Sequence, residues 1–176
     1  FGSAVPEADM PEGVPHEDHV VRQIEQLRLR RNDNFHGVAA EVPLLLIGNG
    51  TGIAGLRSLL REAARAGEHG HWLLFGERQR ALDFLFADEI EAWQADGHLA
   101  RVDLAFSRDG EGGYVQDRLQ AATGTLRDWV QRGAVIHVCG SLQGMAEGVD
   151  QVLRTALGDE AVEMLLENGR YRRDVY

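Results

Sequence analysis

Three short stretches of this chain carry groups suited to holding phosphate or moving electrons. The first is "IGNGTGIAGLR", Ile47 to Arg57. Gly48, Gly50 and Gly52 permit positive φ angles and let a ligand come close to the backbone. The helix predicted to follow aims unpaired N–H groups and a partial positive charge at the same point. Thr51 adds a hydroxyl donor. A pyrophosphate is the natural guest, although tight strand-to-helix turns also use glycine for packing alone. The second stretch is "FSRD", followed by "YVQ". Ser107 and Arg108 can hold a phosphate monoester by hydroxyl and guanidinium. Tyr114 can stack on an adenine face and donate a hydrogen bond, and Gln116 can add another. The same residues would serve equally as a polar loop capping the next helix. The third is "VCGS", in which Cys139 ends an apolar run. A cysteine at a strand end is ordinarily inert core. A nucleophilic role would need an aligned base. His137 leans to the same face, but two residues along a strand is about 6–7 Å, too far for a direct hydrogen bond.

These groups must be positioned by the elements around them. Leu44–Ile47 reads as a short, fully apolar strand. Ile53–Arg65 repeats apolar residues at Ile53, Leu56, Leu59, Leu60 and Ala63, a helical face. His71–Phe75 is a second strand. Ala81–Ala95 reads as one helix with Leu82, Leu85, Phe86, Ile90 and Trp93 on one side. Ala100–Phe106 alternates as a third strand. Two helices follow, split at Thr123-Gly124. Ala134–Cys139 is a fourth strand, Met145–Leu157 and Glu160–Asn168 are helices, and "RYRRDVY" closes the chain as a strand. Short apolar strands alternating with helices predict an α/β fold, a parallel sheet with helices on both faces. Such sheets bind ligands at the carboxyl ends of their strands. The candidate positions are therefore Gly48–Thr51, Gly76–Arg78, Ser107–Arg108, Gly140–Gln143 and the C-terminus.

Composition narrows the chemistry. The 176 residues carry a net charge of −10, which argues against a broad nucleic-acid surface. All 18 basic residues are arginine. Schiff-base chemistry on a side-chain amine and a P-loop lysine are therefore excluded, and any phosphate clamp must use guanidinium groups. Cys139 is the single cysteine, so an intrachain disulfide or multi-cysteine metal site is impossible. A reducing, cytoplasmic location fits. No apolar run reaches the length of a membrane span, and the first residues lack the regions of a signal peptide. Residues 1–19 hold five acids and three of the four prolines and read as a mobile acidic lead-in. Their "HEDH" group (His16 to His19) is expected to be a solvated tail and not a metal cluster. Alternation around Val21, Leu27 and Leu29 suggests one extended strand ending near Asn34. Trp72, Trp93 and Trp129 are read as packing residues, and the acids of "FADEIEAWQADG" as a solvated helix face.

In order and spacing, "NFH" (Asn34 to His36), "IGNGTGIAGLR", "FGER", "FSRD…YVQDRL", "VCGSLQGM" and "GRYRRDVY" resemble the NADP-binding domain of the ferredoxin-NADP reductase superfamily. The resemblance runs from about Leu27 to Tyr176 and is strongest to the diflavin branch, which includes the sulfite reductase flavoprotein and cytochrome P450 reductase. It implies a five-stranded parallel sheet over residues 42–176, with residues 20–41 a remnant of a flavin-binding β-barrel. It implies that Gly50, Thr51 and Gly52 face a pyrophosphate and that Arg78 belongs to the cofactor site. Ser107, Arg108, Tyr114 and Gln116 would form the adenosine 2′-phosphate pocket, selecting NADP(H). Cys139 and Asp174 would lie by the nicotinamide, and Tyr176 on the flavin ring. The implied activity is an NADPH-dependent flavoprotein reductase, passing hydride to FAD and electrons on to a heme or iron–sulfur acceptor protein.

The departures carry expectations of their own. Gly55 stands where the family often has proline. Gly112 replaces a basic residue and its loop is one residue short, which should weaken the grip on the 2′-phosphate. Ser141 stands where an acid often contacts ribose. The family's "RxYS" flavin motif and its later glycine-serine turn are both absent, and "VVRQ" and "LRLRRN" read as scraps of barrel strands joined abruptly near Gln23–Glu25. Truncation, loss of the barrel or skipped residues would each explain this. FAD binding by this chain alone is thus not expected, and the second reading is an NADP(H)-binding domain without turnover.

Overall fold

The computed structural model describes residues 41–110 and 112–176. The expected lead-in over 1–19, the strand near Leu27, the "NFH" group and all but the last residue of the expected barrel remnant lie outside the described residues.

Five strands, β1 (Leu44–Asn49), β2 (His71–Glu77), β3 (Leu99–Phe106), β4 (Val135–Gly140) and β5 (Tyr171–Val175), form one sheet in the order β3-β2-β1-β4-β5. Every neighbouring pair is parallel. The α/β class and the five-stranded parallel sheet are as the sequence implies.

The two-residue period of a strand sends alternate side chains to opposite faces. In β1, Leu45 and Ile47 enter one core while Leu44 and Leu46 enter the other. In β2, Trp72 and Leu74 go with the first, Leu73 and Phe75 with the second. The second core is closed by α1 (Ile53–Arg65), whose Ile53, Leu56, Leu59 and Leu60 are buried at the expected helical spacing. The first is closed by α4 (Val115–Ala121), α5 (Thr123–Gln131), α6 (Glu147–Leu157) and α7 (Asp159–Glu167). Trp72 packs against Trp129 with ring centroids 5.4 Å apart, and its indole N–H donates to Asp103 at 2.7 Å. Both tryptophans are core residues, as expected.

The single helix predicted over 81–95 is two. A one-turn α2 (Arg80–Asp83) and α3 (Ala87–Ala95) are separated at Phe84–Phe86, where Phe86 adopts φ 62°, ψ 27°. The Asp83 carboxylate accepts the Gln79 N–H at 2.9 Å and closes the short turn on itself. Phe84 then turns inward, edge-on to Phe106 at 5.7 Å, while Leu82 and Leu85 stay exposed. Phe86 lies beneath the Arg57 guanidinium at 4.2 Å. On α3, Glu89 is not on a solvated face: it pairs with both Arg57 and Arg61 of α1. The helix expected from Met145 begins at Glu147, after an irregular turn over Leu142–Ala146 in which Gly144 has φ 77°.

At the far end of the sheet His69, His71 and His98 gather ring to ring. His71 is buried and neutral, its pKa lowered to about 4, first by burial and then by the neighbouring histidines. Among the described residues no group of three or more His, Cys, Asp or Glu side chains is placed to hold a metal ion. No described helix is long and apolar enough to cross a membrane.

Candidate functional site

The chain leaves β1 outward to β2 and β3, then returns to place β4 on the other side of β1. That reversal opens a crevice at the carboxyl ends of the strands. A cavity of about 600 Å³ occupies it. Its wall takes Asn49 and Gly50 from the end of β1, Gly76 to Arg78 from β2, Ser107 after β3, Gly113 to Gln116 at the start of α4, and Gln143 to Met145 after β4.

Five of the sequence-predicted residues meet on this wall: Gly50, Arg78, Ser107, Tyr114 and Gln116. Thr51, Gly52, Arg108, Cys139, Asp174 and Tyr176 stand off it. Asn49, Glu77 and Gln143, which fall within the strand-end stretches, also line the cavity, as do Asp83, Gly144 and Met145, which the sequence did not point to. Asn49 and Glu77 are the last residues of β1 and β2, and Gln143 lies shortly past β4, so the strand-end rule reaches all three. Asp83 and Met145 arrive through the irregular turns, which periodicity does not reveal.

The three glycines of the first turn do different jobs. A Cβ on Gly48 would stand 2.4 Å from the Cys139 carbonyl oxygen, and one on Gly52 would stand 2.2 Å from the same atom. Both let β1 and the start of α1 pack directly on the β4 backbone. Gly50 has φ +56° and open space around it, the nearest heavy atom to its Cβ position being Glu77 Oε1 at 3.8 Å. Gly50 is thus the bare, left-handed position facing the cavity. Across the crevice, Asn49 Oδ1 accepts the Ser141 N–H at 2.9 Å and holds the ends of β1 and β4 together. Gly140, at φ +131°, leaves room for that side chain, since a Cβ there would lie 2.4 Å from Asn49 Oδ1.

On the opposite wall, Asp117 accepts the Tyr114 N–H at 2.8 Å and caps α4. The Tyr114 ring is left 60 % exposed. Gln116 is wedged against Gly148 of α6, and its Oε1 is buried without a hydrogen-bond partner. Such an oxygen gains a hydrogen bond from any guest that donates one. The loop after β3 is fixed by its backbone: Ser107 N–H donates to Glu77 O at 2.9 Å, and Arg108 N–H to Arg78 O at 2.8 Å. The Arg108 side chain is exposed beside this loop.

Cys139, Asp174 and Tyr176 gather at the β4–β5 edge of the crevice. Cys139 pairs in register with Gly48 on one side and Asp174 on the other. Tyr176 N–H donates to Gly140 O at 3.1 Å, and its carbonyl accepts the Leu142 N–H at 3.0 Å. The Tyr176 hydroxyl shares a 2.5 Å hydrogen bond with Thr51 Oγ1, so the last residue is tied to the first turn. Burial, and then the Asp174 carboxylate, push the Cys139 thiol up to about 11. It is therefore held protonated at neutral pH, the opposite of what a nucleophilic cysteine needs. Alkylation by iodoacetamide near about pH 8 is expected to be at least ~100-fold slower in the folded chain than in urea, from the lost thiolate fraction and the burial. Rates within tenfold of each other would show the thiol to be open.

The profile of the family described as "Oxidoreductase NAD-binding domain" matches residues 46–151. The chain is similar to the sulfite reductase [NADPH] flavoprotein alpha-component of Yersinia enterocolitica serotype O:8. The two are 40 % identical over an alignment of 161 positions, which covers 84 % of this chain and 27 % of that protein. The proteins of the same name from Yersinia pestis bv. Antiqua and Neisseria meningitidis serogroup C are 39 % and 38 % identical, again over 84 % of this chain and 27 % of theirs. The chain spans about a quarter of the length of these curated relatives. With its sheet order and the crevice at its strand ends, the chain belongs to the oxidoreductase NAD-binding domain family, as an NADP-binding domain of the ferredoxin reductase superfamily.

Proposed function

We propose that this chain is the NADPH-holding module of a flavoprotein reductase, with residues 42–176 as its nucleotide domain. The observation that carries the reading is the cavity at the strand ends, which bare Gly50, Arg78, Ser107, Tyr114 and Gln116 line together. These groups suit a dinucleotide phosphate: N–H groups at the start of α1 for the pyrophosphate, and Ser107 and Arg108 for a 2′-phosphate. Tyr114 offers its exposed face to the adenine, and Arg78 adds positive charge at the wall. When bound, the nucleotide supplies the hydride; the protein supplies binding, orientation and electrostatics. Cys139, Asp174 and Tyr176 would border the nicotinamide end. If the Tyr176 hydroxyl donates in its bond to Thr51, the Thr51 O–H stays available to a phosphate.

The names of the relatives carry NADPH and a flavin; FAD as hydride acceptor, and a heme or iron–sulfur protein beyond it, are what the family resemblance implies. A free, buried Cys139 fits a reducing, cytoplasmic setting. A second reading is a domain that holds NADP(H) without turnover of its own. Stoichiometric flavin absorbance in the purified chain would reject that second reading.

The first test is a calorimetric titration with 2′,5′-ADP against 5′-AMP. Binding of the bisphosphate at least about tenfold tighter, ~1.4 kcal/mol, is the expected result. Equal binding would remove the 2′-phosphate pocket from the proposal. No binding of either would remove the nucleotide site.

A further inference from the structure

Glu77 ends β2 and lines the same cavity as Gly50, Arg78 and Asp83. Its Oε1 is the heavy atom nearest to where a Gly50 side chain would begin, 3.8 Å away. The carboxyl group thus faces the turn offered to the pyrophosphate. A phosphate seated there meets a negative charge where donors would be expected. Two like charges at close range in a partly desolvated crevice repel by several times more than they would in bulk water. A proton on the carboxyl removes the conflict and turns Glu77 into a donor.

The surroundings already lean that way. Burial raises the Glu77 pKa above the ordinary carboxylate range, and the Asp83 carboxylate of α2 raises it further. Against them act the Arg78 backbone N–H, which donates to Oε2 at 3.2 Å, and the Arg78 guanidinium. From α4 the cavity receives Tyr114, Val115 and Gln116, and from the turn after β4 Gln143, Gly144 and Met145. Neither of these walls brings a carboxylate or a cation. Ser107 is the contribution from the end of β3.

We propose that Glu77 is a proton-linked gate on nucleotide binding: its carboxylate opposes a phosphate on the Gly50 turn, and the nucleotide binds with uptake of a proton from solvent at this residue. The proposal rests on the reading that a dinucleotide pyrophosphate occupies that turn. The sign follows from linkage. A bound phosphate raises the Glu77 pKa beyond its value in the free chain. Affinity is therefore full below the free-chain pKa, falls as pH rises through the interval between the two values, and levels off above the higher one.

The test is a calorimetric titration of the 176-residue chain and its Glu77→Gln variant with NADP⁺ across roughly pH 5 to 8. Buffers of different ionisation enthalpy count the protons exchanged. The nucleotide's own phosphates titrate alike with both proteins, so the difference between them isolates Glu77. The expected result is about tenfold tighter binding by Glu77→Gln at neutral pH, the equivalent of one pKa unit, with the gap closing toward acid. The wild type should also take up more protons than the variant. Glu77→Asn, shorter and equally neutral, should repeat the effect, and thermal melts of all three check folding. Unchanged or weaker binding by both variants, with the same pH profile as wild type, overturns the proposal; weaker binding would mean that the carboxylate accepts a sugar hydroxyl. If 2′,5′-ADP binds while the variants behave as wild type, only the role of Glu77 falls. If no protein binds either nucleotide, the nucleotide site falls with it.

Discussion

Gly52→Ala is expected to destabilise the domain by about 3 kcal/mol or more, at or above the top of the usual range for forced overpacking. Its φ of −56° suits any residue, so the cost is not conformational. The new Cβ would stand 2.2 Å from the Cys139 oxygen, 2.6 Å from its carbonyl carbon and 2.9 Å from the Gly140 nitrogen. All three are backbone atoms of β4, the strand that pairs with both β1 and β5. Neither rotamer changes nor a flexible neighbour can relieve that contact. Gly50→Ala is the contrast. Its Cβ enters open space, and only the left-handed φ of +56° costs, about 1–2 kcal/mol. Thermal melts check both. At about 2–4 °C per kcal/mol for a chain of this size, Gly52→Ala should lower Tm by roughly 10 °C or more and Gly50→Ala by only a few degrees. Equal shifts would mean that β4 moves away from the turn at little cost.

Arg108→Ala is expected to weaken 2′,5′-ADP by about 10–100-fold, the loss of a charge-assisted hydrogen bond to phosphate. Binding of 5′-AMP should change by less than about threefold. The guanidinium is exposed, so its removal leaves no buried partner unsatisfied, and the loop stays anchored by the Arg108 N–H on Arg78 O. Arg108→Lys should recover only part of the loss, because an ammonium keeps the charge but not the planar fork. Equal weakening of both ligands would show that Arg108 acts through the loop and not on the 2′-phosphate. With Gly112 where the family has a basic residue, Arg108 would carry more of the grip than it does elsewhere in the family.

Local residue patterns were enough to read a parallel sheet, its two apolar faces and the strand ends where a ligand can sit. Leu44 to Ile47 alternate between two cores because a strand has period two, and Ile53 to Ala63 face one core because a helix has period 3.6. Both are local rules, readable from a dozen residues. The rule that parallel sheets bind at their strand ends then pointed to Gly50, Arg78, Ser107 and Gln143, and all four line the cavity.

The remaining features depend on residues far apart in the chain. The apolar spacing over 81–95 does not mark one buried face: Leu82, Leu85 and Phe86 are exposed, while Phe84, which that spacing left out, packs on Phe106. Gly48, Gly50 and Gly52 are alike in sequence. Only the position of the Cys139 carbonyl, set by the β1–β4 register, divides them into two packing positions and one open one. The bond between Thr51 and Tyr176 joins residues 125 apart. Glu77 falls within the strand-end stretch Gly76–Arg78, but only the packing of β2 beside β1 brings its carboxyl to Gly50. Periodicity reports which way a side chain points from its own element. Only the packed fold brings another element to meet it.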